Sequence, residues 1–379
     1  AIEVSVWYID DQRRKDGNGQ AGAGDGETDE TEKNEAAVTP DGPRLAAAAV
    51  AGLAVVGLAA ILSRGSWWPE LRRALTRDPL PAPSIGTFLS EAGKGGGPLP
   101  QTDGERSEAA ASAFSIAWIS DTQVYAESYP GTFTAMTSWV EEQHSSRNIQ
   151  ALLHTGDVVN NRKSTKQWAN AVAAMDRLRL PFLIAAGNHD VWTPETDYVY
   201  FSRHFGTAND PDTVTWQEGK GQYRLLAAGG MDILLLTLGY GTGEEGIAWA
   251  DAVLSRYPGH YAVLGFHSYM HESGTLSGIG KTLYQELVQP HANVKLVLCG
   301  HHHGVGRRDS PIDDDADGVP DRTVVQLLAD YQEDEDGGGG FLRLLTFDPA
   351  AGVIRVETYS PVLDTAEVNT ARFQFTLER

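Results

Sequence analysis

Hydrophobic patterning divides the chain into a first third without a sustained apolar period and a remainder where short apolar runs alternate with helix-like stretches. Runs of strand length fall at 114–120, 151–154, 181–186, 231–238, 261–266 and 294–298, and helical spacing falls at 133–144, 165–178 and 283–288. Short unbroken apolar runs suit strands buried on both faces, and their alternation with helices predicts a layered α/β domain. Toward the C-terminus the pattern changes to strands alone, at 324–328, 341–347, 353–358 and 373–377. That change predicts a second, mostly antiparallel sheet. The chain shows no internal repeat.

The first 112 residues read differently. Ile2, Val4, Val6 and Tyr8 alternate as a strand would, and residues 16–41 are rich in Gly, Asp and Glu, as in a solvated linker. Residues 45–62 carry no charged or strongly polar side chain. At about 1.5 Å per residue they just reach across a hydrocarbon core of roughly 30 Å. The reading adopted is one membrane span, with Trp67 and Trp68 as interfacial anchors; a signal-peptide core and a buried Ala-rich helix compete with it. Residues 78–110 form a Pro-, Gly- and Ser-rich tether. The expected organisation is therefore an acidic segment at 1–44, a span at 45–62, a linker at 63–112 and a folded domain at 113–379. The chain begins with Ala, as a processed chain or a fragment does.

Composition narrows the function. A net charge of −21 argues against a nucleic-acid-binding surface, although a local cationic site can still attract phosphate. The single cysteine, Cys299, excludes an intramolecular disulfide framework.

Chemistry concentrates at the ends of the predicted strands. Five loops there offer carboxylate, amide and imidazole groups: Asp121 with Gln123, Asp157 with Asn160, Asn188-His189-Asp190, His267, and His301 with His303. Sites in α/β sheets form at the carboxyl ends of strands, and this donor set suits hard or borderline divalent cations. Two metals roughly 3.5–4 Å apart need a shared ligand, a role that suits a carboxylate. Singly, each residue has a plainer account: Asp157 as a helix cap, His267 as a satisfied core histidine, Gly300-His301 as turn chemistry.

Taken in this order, the five blocks resemble the calcineurin-like metallophosphoesterases, from about residue 113 to the C-terminus. The resemblance implies a four-layer α-β-β-α sandwich and hydrolysis of phosphate monoesters or diesters by a hydroxide bridging two divalent metals (Mn, Fe, Zn or Mg). It implies that Asp121 and His303 hold the first metal, that Asp157 bridges, and that Asn188, His267 and His301 hold the second. His189 would be the acid assisting the leaving oxygen, with Asp190 orienting its ring and Asn160 bracing the loop. One departure stands out. Gln123 occupies a place where the family usually has His, and a neutral amide oxygen is the weaker ligand. That substitution is the one support for a rival reading, a binding or scaffold protein that keeps the fold without turnover.

A second feature is independent. Asp313, Asp315, Asp317, Gly318 and Asp321 follow D-x-D-x-D-G-x-x-D spacing, and position twelve is Val324 instead of Glu, so the loop is no complete EF-hand. It is similar to the shorter calcium loops of extracellular modules, with a solvated acidic insertion as the alternative. Calcium would place the domain outside the cytoplasm, membrane-anchored or secreted, whereas Arg64, Arg72, Arg73 and Arg77 after the span favour a cytoplasmic side. Since the span itself competes with other readings, the catalytic domain is expected outside the cytoplasm. Residues 333–340, four acidic residues and then four glycines, read as a mobile solvated loop, with a flap over the cleft as the alternative. Arg162 reads as a surface arginine or a contact to substrate phosphate.

Overall fold

The computed structural model of the protein describes residues 112–191, 196–366 and 374–378. The predicted segments at 2–8, 16–41, 45–62 and 78–110 lie outside these residues. Among the described residues no helix is long and apolar enough to cross a membrane.

Two mixed sheets build the domain. In the first, β1 (Phe114–Ile119), β2 (Ile149–His154) and β3 (Phe182–Ile184) run parallel, joined by crossovers that contain the helices Pro130–Gln143 and Thr165–Met175. The second holds β4 (Val214–Trp216), β5 (Gly221–Ala228), β6 (Met231–Leu238), β7 (Tyr261–Ser268), β8 (Val294–Gly300), β9 (Gly304–Ile312) and β10 (Arg322–Asp330). Here β6, β7, β8 and β10 are mutually parallel, and antiparallel pairs flank them on both sides. The chain then returns to the first sheet with β11 (Leu342–Asp348), β12 (Val353–Ser360), β13 (Thr365–Ala366) and β14 (Gln374–Thr376).

That return corrects the expectation of a separate antiparallel sheet made by the late strands. Instead β10 extends the second sheet beside β8, and β11 pairs antiparallel with β1 in the first. The reason lies in side-chain alternation. Leu342 and Leu344 of β11 join the helix-side core of the first sheet, while Leu345 and Phe347 join the core between the sheets. Such a strand must be covered on both faces, so it enters a sheet that already has a layer on either side.

The same alternation fixes the layers. In β1, Ala117 and Ile119 face the helices, and Phe114, Ile116 and Trp118 face the other sheet. In β6, Ile233 and Leu235 meet that inter-sheet core, while Leu234 and Leu236 pack toward the helix Gly243–Arg256. Three apolar spaces thus separate helices, sheet, sheet and helices, as the four-layer expectation requires. Parallel strands in both sheets leave their carboxyl ends at the same edge of the sandwich, where the polar loops gather.

Candidate metal centre

Each candidate loop leaves its strand under constraint. Asp121, Asp157 and His301 all have positive φ, of 52°, 53° and 70°, although none is a glycine. Backbone strain of this kind persists only where the surroundings over-determine it. Two glycines show why the loops can approach so closely. A Cβ on Gly187 would lie 2.1 Å from Oδ1 of Asp157 and 2.2 Å from its backbone nitrogen. A Cβ on Gly300 would lie 2.0 Å from Oδ2 of Asp121. The strands end so near one another that only hydrogen fits between a neighbour's backbone and these carboxylates.

Asp157 is the meeting point. Its Oδ1 accepts from the backbone N–H of His189 at 2.9 Å and lies 3.3 Å from Nε2 of His267. Its Oδ2 accepts from the Gln123 amide at 3.3 Å. Nδ1 of His267 donates to the Thr155 carbonyl at 3.0 Å, which turns Nε2 toward Asp157 and toward Oδ1 of Asn188 at 2.9 Å. Ligand atoms of Asp157, His267 and His301 all lie within 4.8 Å of one another. In its neutral form the ring therefore turns a lone pair toward these oxygen acceptors, an arrangement that a proton on Nε2 or a cation between them satisfies. Gln123 adds to this set, because its buried Oε1 has no hydrogen-bond partner. Buried acceptors of this kind normally find a donor or an ion. The donors present fit divalent metal ions.

The electrostatics carry the same imprint. Burial would raise Asp157, but the charge and hydrogen bond of His267, with His189 and His301 nearby, hold its carboxyl well below the usual range. Burial would lower His267, and Asp157 overrides it, lifting the imidazole to about 9. Asp121 is pushed well up by burial and then by the charge of Asp330. Asp121 also accepts from Ser120 Oγ at 2.5 Å and from the His301 backbone N–H at 3.1 Å.

The roles of Asp190 and Asn160 differ from expectation. The Asp190 carboxylate accepts from the backbone N–H groups of Gly187, Val158 and Val159, so it ties two loops together and does not orient the neighbouring ring. Burial, followed by the charge of Asp157, raises it to about 7 against those donors. Nδ1 of His189 instead meets the backbone carbonyl of Asn160 at 3.0 Å, while the Asn160 side chain donates to Glu127. The brace on the His189 ring is thus a main-chain group. Arg162 is engaged in an ion pair with Asp197 at 2.6 Å.

Four residues to which the sequence assigns no part in the site complete the surroundings. His154, fully buried, bonds Thr122 through Nε2 and accepts the Gly156 N–H through Nδ1, joining the two carboxylate loops. Burial, then His267, lowers it to about 3, so it acts as a neutral strut. Asp330 ends β10, and Gln332 and Glu333 lie just past it. Gln332 accepts from the Gln123 amide, and Glu333 pairs with Nδ1 of His303 at 2.5 Å. The signal that could have found Asp330 is its position just past the apolar run 324–328, the place every other candidate occupies.

In residues 333–340 the acidic half is exposed, as expected of a solvated loop, while the glycine half is packed. Gly337 and Gly338 are buried, and Gly340 donates its N–H to the Tyr125 hydroxyl at 3.0 Å. A Cβ on Gly337 would meet Val124 Cγ1 at 2.5 Å, so the glycines are there for close packing on the helix Gln123–Ser128.

The acidic loop 313–321 is a separate structure. Carboxylate oxygens of Asp313, Asp315 and Asp317 lie within 4.8 Å of one another. They accept the loop's own amides, from Gly318 to Asp313 at 2.7 Å and from Val319 to Asp317 at 2.7 Å. Asp321 turns away to accept from Asp314 N–H. The loop joins β9 to β10 at the far end of two nine-residue strands from His303 and Asp330.

Comparison with known proteins agrees with the fold. Residues 114–305 match the family described as calcineurin-like phosphoesterase, and the chain belongs to that family. It is 40% identical over 255 residues to an uncharacterized protein, YvnB, of Bacillus subtilis, which covers 65% of this chain and 20% of that protein. The chain thus spans about a fifth of the length of this relative. Among solved structures it is similar to a purple acid phosphatase from yellow lupin seeds (TM-score 0.49, 15% identity, 70% of this chain and 53% of that one). A dimetal phosphatase from Danio rerio gives a TM-score of 0.43 at 13% identity, over 67% of this chain and 98% of that one. Family membership implies divalent metal ions, which the donor set accommodates.

Proposed function

We propose that this domain is a dinuclear metallophosphoesterase that hydrolyses phosphate esters. The observation that carries the reading is the environment of Asp157. A buried carboxylate with Gln123 on one oxygen and His267 on the other, with His301 close by, has the form of a ligand shared between two ions. Asp121, Gln123, Asp157 and His303 would hold one ion, and Asp157, Asn188, His267 and His301 the other. When bound, such a pair supplies Lewis acidity toward phosphoryl oxygens and a hydroxide nucleophile at neutral pH.

The remaining work falls to the protein's own groups. Thr155 fixes the tautomer of His267 by taking its Nδ1 proton in a hydrogen bond, which keeps Nε2 available as a ligand. His189 is anchored by Nδ1 on the Asn160 carbonyl, so its Nε2 is the atom that carries the proton to the leaving oxygen. Asp190 keeps the loops of Asp157 and His189 in fixed relation through its three backbone donors.

The test strips the full chain of metal, restores manganese, iron, zinc or magnesium, and follows a chromogenic phosphate monoester and a diester. Metal-restored turnover is expected, falling by at least about a thousandfold in Asp157→Asn, since a bound ion contributes several kcal/mol of charge stabilisation. His189→Ala should keep its ions and lose roughly 10²–10⁴ in rate. Bound ions without turnover in the wild-type protein would sink the enzyme reading in favour of a metal-binding scaffold.

A further inference from the structure

We propose that Asp330 is an additional carboxylate ligand of the first metal site, making good the imidazole that Gln123 lacks, with Gln332 as the residue that positions both. The inference rests on the dinuclear reading above. It concerns a part of the chain beyond the segment 114–305 that matches the family.

Asp330 is the last residue of β10, which lies parallel to β8, so it leaves the sheet at the same edge as His301 and His303. Its side chain is completely buried. A carboxylate in that position needs a cation or a full set of donors. Gln332 supplies two donors, its backbone N–H to Oδ1 at 3.0 Å and its amide to Oδ2 at 3.1 Å. Two carboxylate oxygens offer about four lone-pair sites, so capacity for an ion remains.

The neighbouring histidine points at it. Glu333 takes Nδ1 of His303, which directs Nε2 to within 4.0 Å of Asp330 Oδ2. That distance is too long for a hydrogen bond. It is within the span of two atoms that share one ion at roughly 2.0–2.2 Å each. Gln332 then links this corner to the departure from the family pattern, because its Oε1 accepts from the amide of Gln123. The amide that replaces imidazole and the carboxylate that adds charge are held by one side chain. A carboxylate contributes a full negative charge where the amide contributes none, so the exchange shifts the first site toward harder ions.

The segment is also built to stay in place. Arg343 donates to the Leu328 carbonyl and to the Tyr331 hydroxyl, bracketing Asp330. The Gly337–Gly340 turn seats on Tyr125, two residues from Gln123.

The experiment titrates the metal-free full chain with manganese by calorimetry, comparing wild type, Asp330→Asn, Gln332→Ala and the double variant Gln123→His/Asp330→Asn. Wild type should take two ions. Asp330→Asn should bind one ion as wild type does and the other about 100-fold more weakly, and Gln332→Ala should weaken the same ion by about tenfold. The double variant should recover the second ion, which a merely structural role for Asp330 does not predict. If Asp330→Asn does not fold, Gln332→Ala alone decides, since it leaves every carboxylate in place. Two ions bound with wild-type affinity in both single variants would overturn the proposal and leave the dinuclear reading intact. Fewer than two ions in the wild-type protein would remove that reading, and the role of Asp330 with it.

Discussion

Two clusters of aspartates in this molecule have almost opposite physics. Asp121, Asp157, Asp190 and Asp330 are buried at the carboxyl edge of the sheets, each 2% exposed or less. Asp313, Asp315 and Asp317 stand on a loop at the other end of β9 and β10, with Asp315 and Asp317 exposed. Both clusters bring carboxylate oxygens within a few ångströms of one another. In the loop, the carboxylates face solvent and accept the loop's own amides, as side chains capping a tight turn do. In the buried cluster the carboxylates are largely withdrawn from solvent, and their mutual repulsion is met by imidazoles and backbone N–H groups. Proximity of acidic groups therefore says little by itself. Burial together with unmet acceptors is what marks a metal centre.

The sharpest way to break the comparison is to add a methyl group to each cluster. Gly187→Ala places a Cβ on Asp157 Oδ1 and on its backbone, where nothing flexible can yield. Overpacking of this kind costs about 1–3 kcal/mol, and here it would also push the Asp157 carboxylate out of place. Loss of metal binding in a calorimetric titration and a lower Tm are expected. Gly318→Ala in the acidic loop has a positive φ of 94° but no atom within 4 Å of the new Cβ. Only its backbone strain should register, with metal binding and turnover unchanged. Equal effects from the two substitutions would mean that the buried cluster is no more constrained than the exposed one.

The contrast also explains what could be read from the sequence. The buried cluster was legible because ligand types recur just past apolar runs, and a strand's end is where a parallel sheet presents polar groups. The strands β1, β6 and β8 were legible because both faces are apolar. By contrast, β4 and β5 are mostly half-buried and β9 carries Arg307, Arg308 and Asp309, so none is apolar along its whole length as a doubly buried strand is. Sheet membership of β11 could not be read at all, since partner choice depends on which layers stand opposite its two faces. The orientation of His189 was misassigned to Asp190 because sequence adjacency suggested a side-chain partner. The loop geometry gives the ring a main-chain carbonyl instead. Residues 333–340 read as mobile because glycine runs usually are. Here each glycine is where a side chain would collide or the backbone turns left-handed.

A second prediction sharpens the comparison through pH. His267 is lifted from 6.5 to about 9 in the metal-free protein. A raised histidine contributes stability that is complete below pH 6.5 and is lost as pH rises through about 9, an effect on the order of 3 kcal/mol. Asp190, raised to about 7, adds only the tail of its own loss just above pH 7, in the same direction, and His154, lowered to about 3, is neutral throughout the window. The Tm of metal-free protein should therefore fall by several degrees between pH 7 and 9.5. Bound metal replaces the proton on the imidazole, because a ligating histidine must be neutral, so the loaded protein should show a flatter profile. Parallel profiles with and without metal would argue that His267 is a core histidine and no ligand.

The smallest effect is expected from the exposed cluster itself. Asp315→Asn removes one charge from a loop whose carboxylates already satisfy backbone amides, and the amide oxygen can still accept from the Asp317 N–H that Asp315 now receives at 3.1 Å. Its Tm should match wild type, as substitutions away from packed or paired groups usually do. The measurement is a thermal melt of both proteins, with and without millimolar calcium. A calcium-dependent rise in wild type that disappears in Asp315→Asn would show that this loop, too, holds its carboxylates together for a cation. Exposure would then no longer separate the two clusters, and what distinguishes them would be the metal each selects, a softer donor set with imidazole at the strand ends and oxygen alone in the loop.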